Sequence, residues 1–235
     1  MEKIKNLIMY INENFGIYSS YREEYMIAFT HSSYINENRN IPKNNHYERL
    51  EFLGDAIIEL TTSEYLYKKF QNLTEGDLTR LRASIVCEPT LVKYSKILSF
   101  DKYILLGKGE EKNGGRNRDA LLADIFESFV GALYLDRGLN EVKKFLNATL
   151  FKEVTDDSYQ SFIDHKTILQ ELISKEKMGR IEYKLISSEG PSHAKVFISS
   201  IYIDDELYGQ GKGKTKKESE QKCAEKALKK IKKYS

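Results

Sequence analysis

The stretch Tyr47-Glu-Arg-Leu-Glu-Phe-Leu-Gly-Asp-Ala56 sets Glu48, Glu51 and Asp55 at spacings of three and four, so a helix here stacks three carboxylates on one face. No Lys or Arg lies three or four positions from any of them, and Glu59 extends the stripe, whereas a solvated helix ordinarily interleaves bases. About half a turn away Leu50, Leu53, Ile57 and Leu60 recur with helical period, which predicts a core-facing stripe. An acidic surface helix accounts for this pattern as well as a cation site does.

A second segment carries matching acids. Ala120-Leu-Leu-Ala-Asp-Ile-Phe-Glu-Ser-Phe-Val-Gly-Ala-Leu-Tyr-Leu135 is apolar on nearly all sides, which predicts a buried helix. Asp124 and Glu127 interrupt it, sharing a face with Ala120 and Gly131, small residues that let another backbone approach. An unpaired buried carboxylate is costly unless its pKa shifts, so these two need bases, hydrogen-bond donors or a metal. The segment offers no base. Packed face to face, the two helices would cluster Glu51, Asp55, Asp124 and Glu127, hard oxygen ligands of the kind that select Mg²⁺ or Mn²⁺. Such a centre commonly activates water against a phosphate. A salt-bridge network with lysines from elsewhere is the competing reading.

The 235 residues suffice for one large or two medium domains. Charge divides unevenly: residues 1–160 hold 21 bases and 24 acids, a net −3, while residues 161–235 hold 16 and 11, a net +5. A polyanion is expected on the second part. Cys87 and Cys223 belong to no CxxC or Cys/His spacing, which argues against a disulfide scaffold or zinc site. No apolar run approaches the roughly eighteen residues that span a bilayer, and no leader follows the first charges, so the expectation is a cytoplasmic protein without a membrane partner.

Residues 1–150 show helical periodicity almost throughout and are expected to be all-α. Helix starts are predicted at Ser19-Ser20, ahead of 21–29, and at Thr74-Glu75-Gly76-Asp77, a capping-box-like sequence; breaks are expected at Pro42, Pro89 and 107–118. The 107–118 segment, rich in glycine and charge, fails the P-loop pattern, so no nucleotide cofactor is expected. It reads as a mobile surface loop, or alternatively as an arm that touches a nucleic-acid backbone with Lys112, Arg116 and Arg118. Polar residues 151–161 are taken as a linker. Residues 162–235 then predict a small α+β domain: a helix from Lys166 to Lys177, strands near 181–187, 194–202 and 206–210, and a helix from Thr215. Asp204-Asp205 supplies a hairpin turn. From Lys212 to Lys233 ten lysines face three glutamates, and Lys214, Lys216 and Lys217 stand at a helix start after Gly209-Gln-Gly-Lys-Gly213, which favours phosphate contact over a merely solvated face.

Together these blocks resemble bacterial ribonuclease III. Tyr47–Ala56 looks like the family signature, with Tyr47 where Asn is frequent; Ala28–Tyr34, Thr74–Ala83 and Leu121–Glu127 are similar to further family blocks. The tail resembles a double-stranded-RNA-binding domain through Asp164–Glu171, Gly190–Lys195 and Gly211–Lys217. The resemblance implies an all-α endonuclease domain and an α-β-β-β-α RNA-binding domain, acting as a homodimer on double-stranded RNA with Mg²⁺, or Mn²⁺ in its place. It implies staggered products with 5′-phosphate and 3′-hydroxyl ends, and processing of ribosomal RNA precursors and other structured transcripts. By residue, it implies that Glu51, Asp55, Asp124 and Glu127 hold the metal, with Asp55 and Glu127 catalytic and Glu48 and Glu75 accessory acids. For RNA it implies Thr167 and Gln170 in one minor groove, Pro191 and His193 in another, and Lys214, Lys216 and Lys217 on phosphates. His31 reads as a hydrogen-bond partner for a helix end, and Ser219 and Cys223 as small core residues where alanines are common. The competing classes are a duplex binder that does not cut, which would have no need of acids on two helices, and a DNA-directed nuclease.

Overall fold

A computed structural model describes residues 2–20, 22–154, 165–189 and 195–234. The chain forms two compact units, Met1–Phe162 and Ile163–Ser235.

The first unit is helical. Its described helices are α1 (Glu2–Phe15), α2 (Glu23–Ala28), α3 (Ser32–Glu37), α4 (Glu48–Lys69), α5 (Glu75–Ile85), α6 (Glu88–Ile97), α7 (Lys108–Lys112), α8 (Asp119–Arg137) and α9 (Leu139–Ala148). Helix α8 is the hub, as its all-round apolar sequence predicts: Leu121, Leu122, Ile125, Phe126, Phe129, Val130 and Leu133 are all buried. Aromatic rings gather around it, Phe100 and Phe145 lying 5.0 and 5.2 Å from Phe129.

Helix α5 starts as predicted, with Thr74 Oγ1 accepting from the Asp77 N–H at 3.2 Å. The start of α2 differs: its N-cap is Arg22, without a side-chain cap. Ser19 instead turns inward to bond Tyr25 and the carboxylate of Asp136, which Arg22 also pairs at 2.6 Å. The break expected at Pro89 falls just before it, between α5 and α6, and Pro89 sits in the first turn of α6, where a proline forfeits no intrahelical bond. Phe151 and Val154, assigned to the linker by sequence, are buried in this unit's core, Phe151 stacking on Tyr65 at 4.2 Å. Polar neighbours disguised them.

The 107–118 segment is folded, not a loose loop. It contains α7 and a 3-10 turn, Gly115–Asn117. Arg116 is clamped by Glu111 and by the carbonyls of Asp101 and Ile104, and Arg118 pairs with Glu110 at 2.7 Å. Both arginines therefore hold the segment together.

The second unit has α10 (His165–Glu176), β1 (Ile181–Glu189), β2 (Val196–Ile203), β3 (Glu206–Gly213) and α11 (Lys216–Tyr234). The strands form an antiparallel sheet in the order β1-β2-β3. Asp204 and Asp205, with φ of 46° and 66°, make the tight turn between β2 and β3. Leu169, Ile173, Ile201, Ile203, Cys223, Ala224 and Ala227 form its core.

Strand β3 runs past the predicted end because its glycines are strand residues. A Cβ on Gly211 would lie 2.2 Å from the Ser219 carbonyl oxygen, and one on Gly213 would lie 2.6 Å from the Ser219 nitrogen. The glycines admit the α11 backbone. Ser219 and Cys223, both fully buried, are the small residues of the facing helix.

Candidate active site and nucleic-acid interface

Helices α4 and α8 cross backbone to backbone. A Cβ on Gly54 would lie 1.8 Å from the Glu127 carbonyl oxygen, and one on Gly131 would lie 2.3 Å from that of Leu50. Gly131 thus does what its place in the sequence suggests, and Gly54 is its unforeseen partner. Ala120 is exposed and takes no part.

That crossing brings carboxylates of Glu51, Asp124 and Glu127 within 4.8 Å of one another. Burial, then the charges of Asp124, Glu48 and Asp55, pushes Glu51 up to about 7. Burial, then Asp55, Glu51 and Asp124, pushes Glu127 up to about 8. Asp124 is also raised, chiefly by burial and against the hydrogen bond from Tyr47; Glu88 and Glu48 add to the rise, and Arg118 opposes it. Among the described residues none of the three carboxylates forms an ion pair, so the salt-bridge network weighed from sequence has no members here. Mutually repelling, half-buried oxygen donors without bases fit a hard divalent cation.

Asp55 is exposed at the edge of this group, close enough for its charge to raise Glu51 and Glu127. Glu48 is exposed and lies 3.6 Å from His46 Nδ1. Glu59 leaves the acidic stripe altogether, pairing with Arg82 of α5 at 2.7 Å. Glu75, in the first turn of α5, is exposed and accepts a bond from Thr79 Oγ1 at 2.9 Å. His31 caps α3, its Nδ1 accepting from the Ser33 N–H, and its ring stacks on Tyr47. Burial lowers its pKa.

On the predicted apolar stripe of α4, Leu50 and Ile57 are buried, but Leu60 is 58% exposed. Phe52, at 81%, is exposed beside it.

In the second unit Gln170 is exposed on α10, and Thr167 lies one turn earlier. Lys214, Lys216 and Lys217 are exposed at the start of α11. Pro191 and His193 lie outside the described residues. At this helix start Thr215 Oγ1 accepts from the Glu218 N–H at 3.1 Å, and the Glu218 carboxylate accepts from the Lys214 N–H at 2.7 Å. The lysine side chains add their charge to the positive end of the helix. Lys166 pairs with Glu220 at 2.6 Å and so ties α10 to α11.

A helical nuclease fold with an acidic centre, followed by a duplex-RNA-binding fold, defines the class. The family described as Ribonuclease-III-like matches residues 23–154, and the double-stranded RNA binding motif matches 165–231. Ribonuclease 3 of Geobacillus sp. (strain WCH70) is 48% identical over 231 residues, 98% of this chain and 94% of that protein. Ribonuclease 3 of Bacillus cereus (strain G9842) is 47% identical over 230 residues, again 98% and 94%. Among solved structures, the nuclease domain of ribonuclease III from Campylobacter jejuni matches with a TM-score of 0.57 and 32% identity, covering 66% of this chain and all of that one. A second structure of that domain, described for flexibility in the region involved in dimer formation, matches at 0.55 and 33%, covering 62% and 96%. The chain belongs to the ribonuclease III family. It is an enzyme of that family, an endoribonuclease carrying a double-stranded RNA binding motif. No helix among the described residues is long and apolar enough to cross a membrane.

Proposed function

We propose that the chain cuts double-stranded RNA by metal-dependent phosphodiester hydrolysis, leaving staggered ends with 5′-phosphate and 3′-hydroxyl groups. The convergence of Glu51, Asp124 and Glu127 within 4.8 Å carries this reading, with Asp55 beside them as a fourth acid. These residues would hold Mg²⁺, or Mn²⁺ in its place. When bound, the cation polarises the phosphoryl oxygen and lowers the pKa of a water. Glu127 and Asp55 serve catalysis by fixing charge at the reacting phosphate, and Glu48 and Glu75 add acidic positions along the RNA. Thr167 and Gln170 meet one minor groove, Pro191 and His193 the next, and Lys214, Lys216 and Lys217 the phosphates between. Recognition then rests on A-form shape and 2′-hydroxyls, since the deep major groove hides the bases. Precursors of ribosomal RNA and other structured transcripts, in the cytoplasm, are the substrates that the family resemblance suggests.

The test is Glu127→Gln, which keeps the size of the side chain and removes its charge. Cleavage of a perfect RNA duplex should fall by about 10²-fold or more at ordinary Mg²⁺, the scale of a lost transition-state charge contact. Gel-shift binding should be unchanged. Near-normal turnover would overturn the assignment.

We also propose that two copies pair through α4. Phe52 and Leu60 are eight positions apart on one face of that helix and expose 81% and 58% of their surface, an apolar pair open to a partner. A second copy is the occupant that the dimer-forming Campylobacter jejuni domain suggests. Sedimentation at micromolar concentration should give a dimer; a monomer would contradict the pairing.

A further inference from the structure

Tyr47 precedes α4, yet its side chain serves α8. The phenol Oη donates to Asp124 Oδ2 at 3.1 Å, joining positions 77 residues apart. Among the described residues this is a hydrogen bond to the Asp124 carboxylate from outside its own helix.

The phenol is held so that it cannot easily point elsewhere. Tyr47 is 8% exposed. Its N–H donates to the Thr30 carbonyl at 2.9 Å, and its own carbonyl accepts from the N–H groups of Leu50 and Glu51 at 2.9 Å each. The ring lies nearly parallel to His31, with centroids 5.8 Å apart and planes at 21°. His31 is anchored in turn by Ser33 and by the Leu105 carbonyl, which accepts its N–H at 3.0 Å. A tyrosine with only two side-chain torsions, both fixed by packing, makes a rigid donor at small entropic cost.

We propose that Tyr47 is a positioning residue for the metal centre: its hydroxyl holds the Asp124 carboxylate in the orientation that meets a divalent cation. The inference rests on the metal-site reading given above. Without the phenol, the Asp124 carboxylate would lose the bond that holds it within 4.8 Å of the Glu51 and Glu127 carboxylates, whose like charges repel it. Its carboxylate would rotate away from its neighbours toward water, and a cation would have to restore the geometry at its own expense. Hydrogen bonds that orient ligand carboxylates typically set metal affinity to within a factor of about 10 to 100. A merely structural tyrosine would satisfy its hydroxyl too, but its loss would register in folding stability and not in metal affinity.

The experiment is a titration of the full chain, without RNA, by Mn²⁺ under electron paramagnetic resonance, comparing the natural sequence with Tyr47→Phe. The variant keeps the ring on His31 and should melt close to the parent. Its Mn²⁺ affinity should fall about tenfold. The Mg²⁺ concentration for half-maximal cleavage should rise in step, with kcat largely regained at saturating Mg²⁺. Tyr47→Met, which keeps apolar volume without a hydroxyl, should give the same shift and stands in if the phenyl variant folds poorly. Equal Mn²⁺ affinity in parent and variants, whatever their melting temperatures, would overturn the role of Tyr47 and leave the metal site standing. If the parent itself bound no Mn²⁺, the metal-site reading would fall and this inference with it.

Discussion

At the residue scale, Glu51 and Glu127 are half-buried carboxyls whose burial and repulsion by like charges tie stability to pH. In the metal-free folded state they hold protons up to about 7 and about 8, whereas an unfolded chain releases them near 4.5. The folded state therefore binds more protons between these limits. Stability contributed by their neutral forms is full below the unfolded value and is lost as pH rises through 7 to 8. Two other shifts lie outside this range: Lys143 and then Lys68 hold Glu64 down to about 2, and burial lowers His31 below its ordinary 6.5. Between pH 7 and 8.5 the melting temperature of chelator-treated protein should accordingly decline by a few degrees, and saturating Mg²⁺ should flatten the decline by binding the ionised form. A melting temperature that rose over that interval without metal would contradict the raised values. The identities of Glu51, Asp124 and Glu127 as a cluster were legible in the sequence because acids without bases on one helix face, and acids inside an apolar helix, both need an explanation. The roles of Tyr47 and Glu59 were not legible. Tyr47 reaches across 77 positions to Asp124, and Glu59 finds Arg82 on another helix; spacing within one helix encodes neither partner.

At the scale of elements, the active site depends on how closely α4 and α8 can approach. Gly54 faces the Glu127 carbonyl at a distance no Cβ can occupy. Replacing glycine by alanine in a helix ordinarily gains about 1 kcal/mol from propensity, so a net loss would isolate the cost of the contact. Gly54→Ala should destabilise the first unit by about 1–3 kcal/mol in urea unfolding, the range for overpacking, and should raise the Mg²⁺ requirement because Glu127 shifts with its helix. An unchanged or increased stability would show that the helices separate freely and that the crossing does not set the site. Gly131 could be read as a contact point because it is a small residue on the face of Asp124 and Glu127, while nothing in the spacing around Gly54 marks it as the facing partner. The apolar stripe of α4 was read with similar partial success. Hydrophobic period finds Leu50 and Ile57 in the core but cannot separate them from the exposed Leu60, since an apolar side chain left on the surface has the same period as a buried one. The glycines of β3 carry the same lesson: the sequence ends the strand near 210, and only the sheet register with the α11 contacts shows Gly211 and Gly213 as strand residues on a packing surface.

At the scale of the whole molecule, the two units divide charge. The acids that repel RNA lie in the first, and the surplus of bases lies in the second. Lys216 and Lys217 are exposed at the start of α11, where their ammonium groups are open to a phosphate. Replacing both lysines with alanine should weaken binding about equally for all duplex sequences, because a phosphate contact carries no base information. Plotted as log affinity against log salt, the slope should shrink by roughly one unit per lost contact, as counterion release requires. Turnover at saturating protein and low salt should remain close to normal, since neither lysine belongs to the acidic cluster. A natural salt slope, or normal binding with failed cleavage, would instead place these lysines at the reacting phosphate and dissolve the separation between holding the duplex and cutting it.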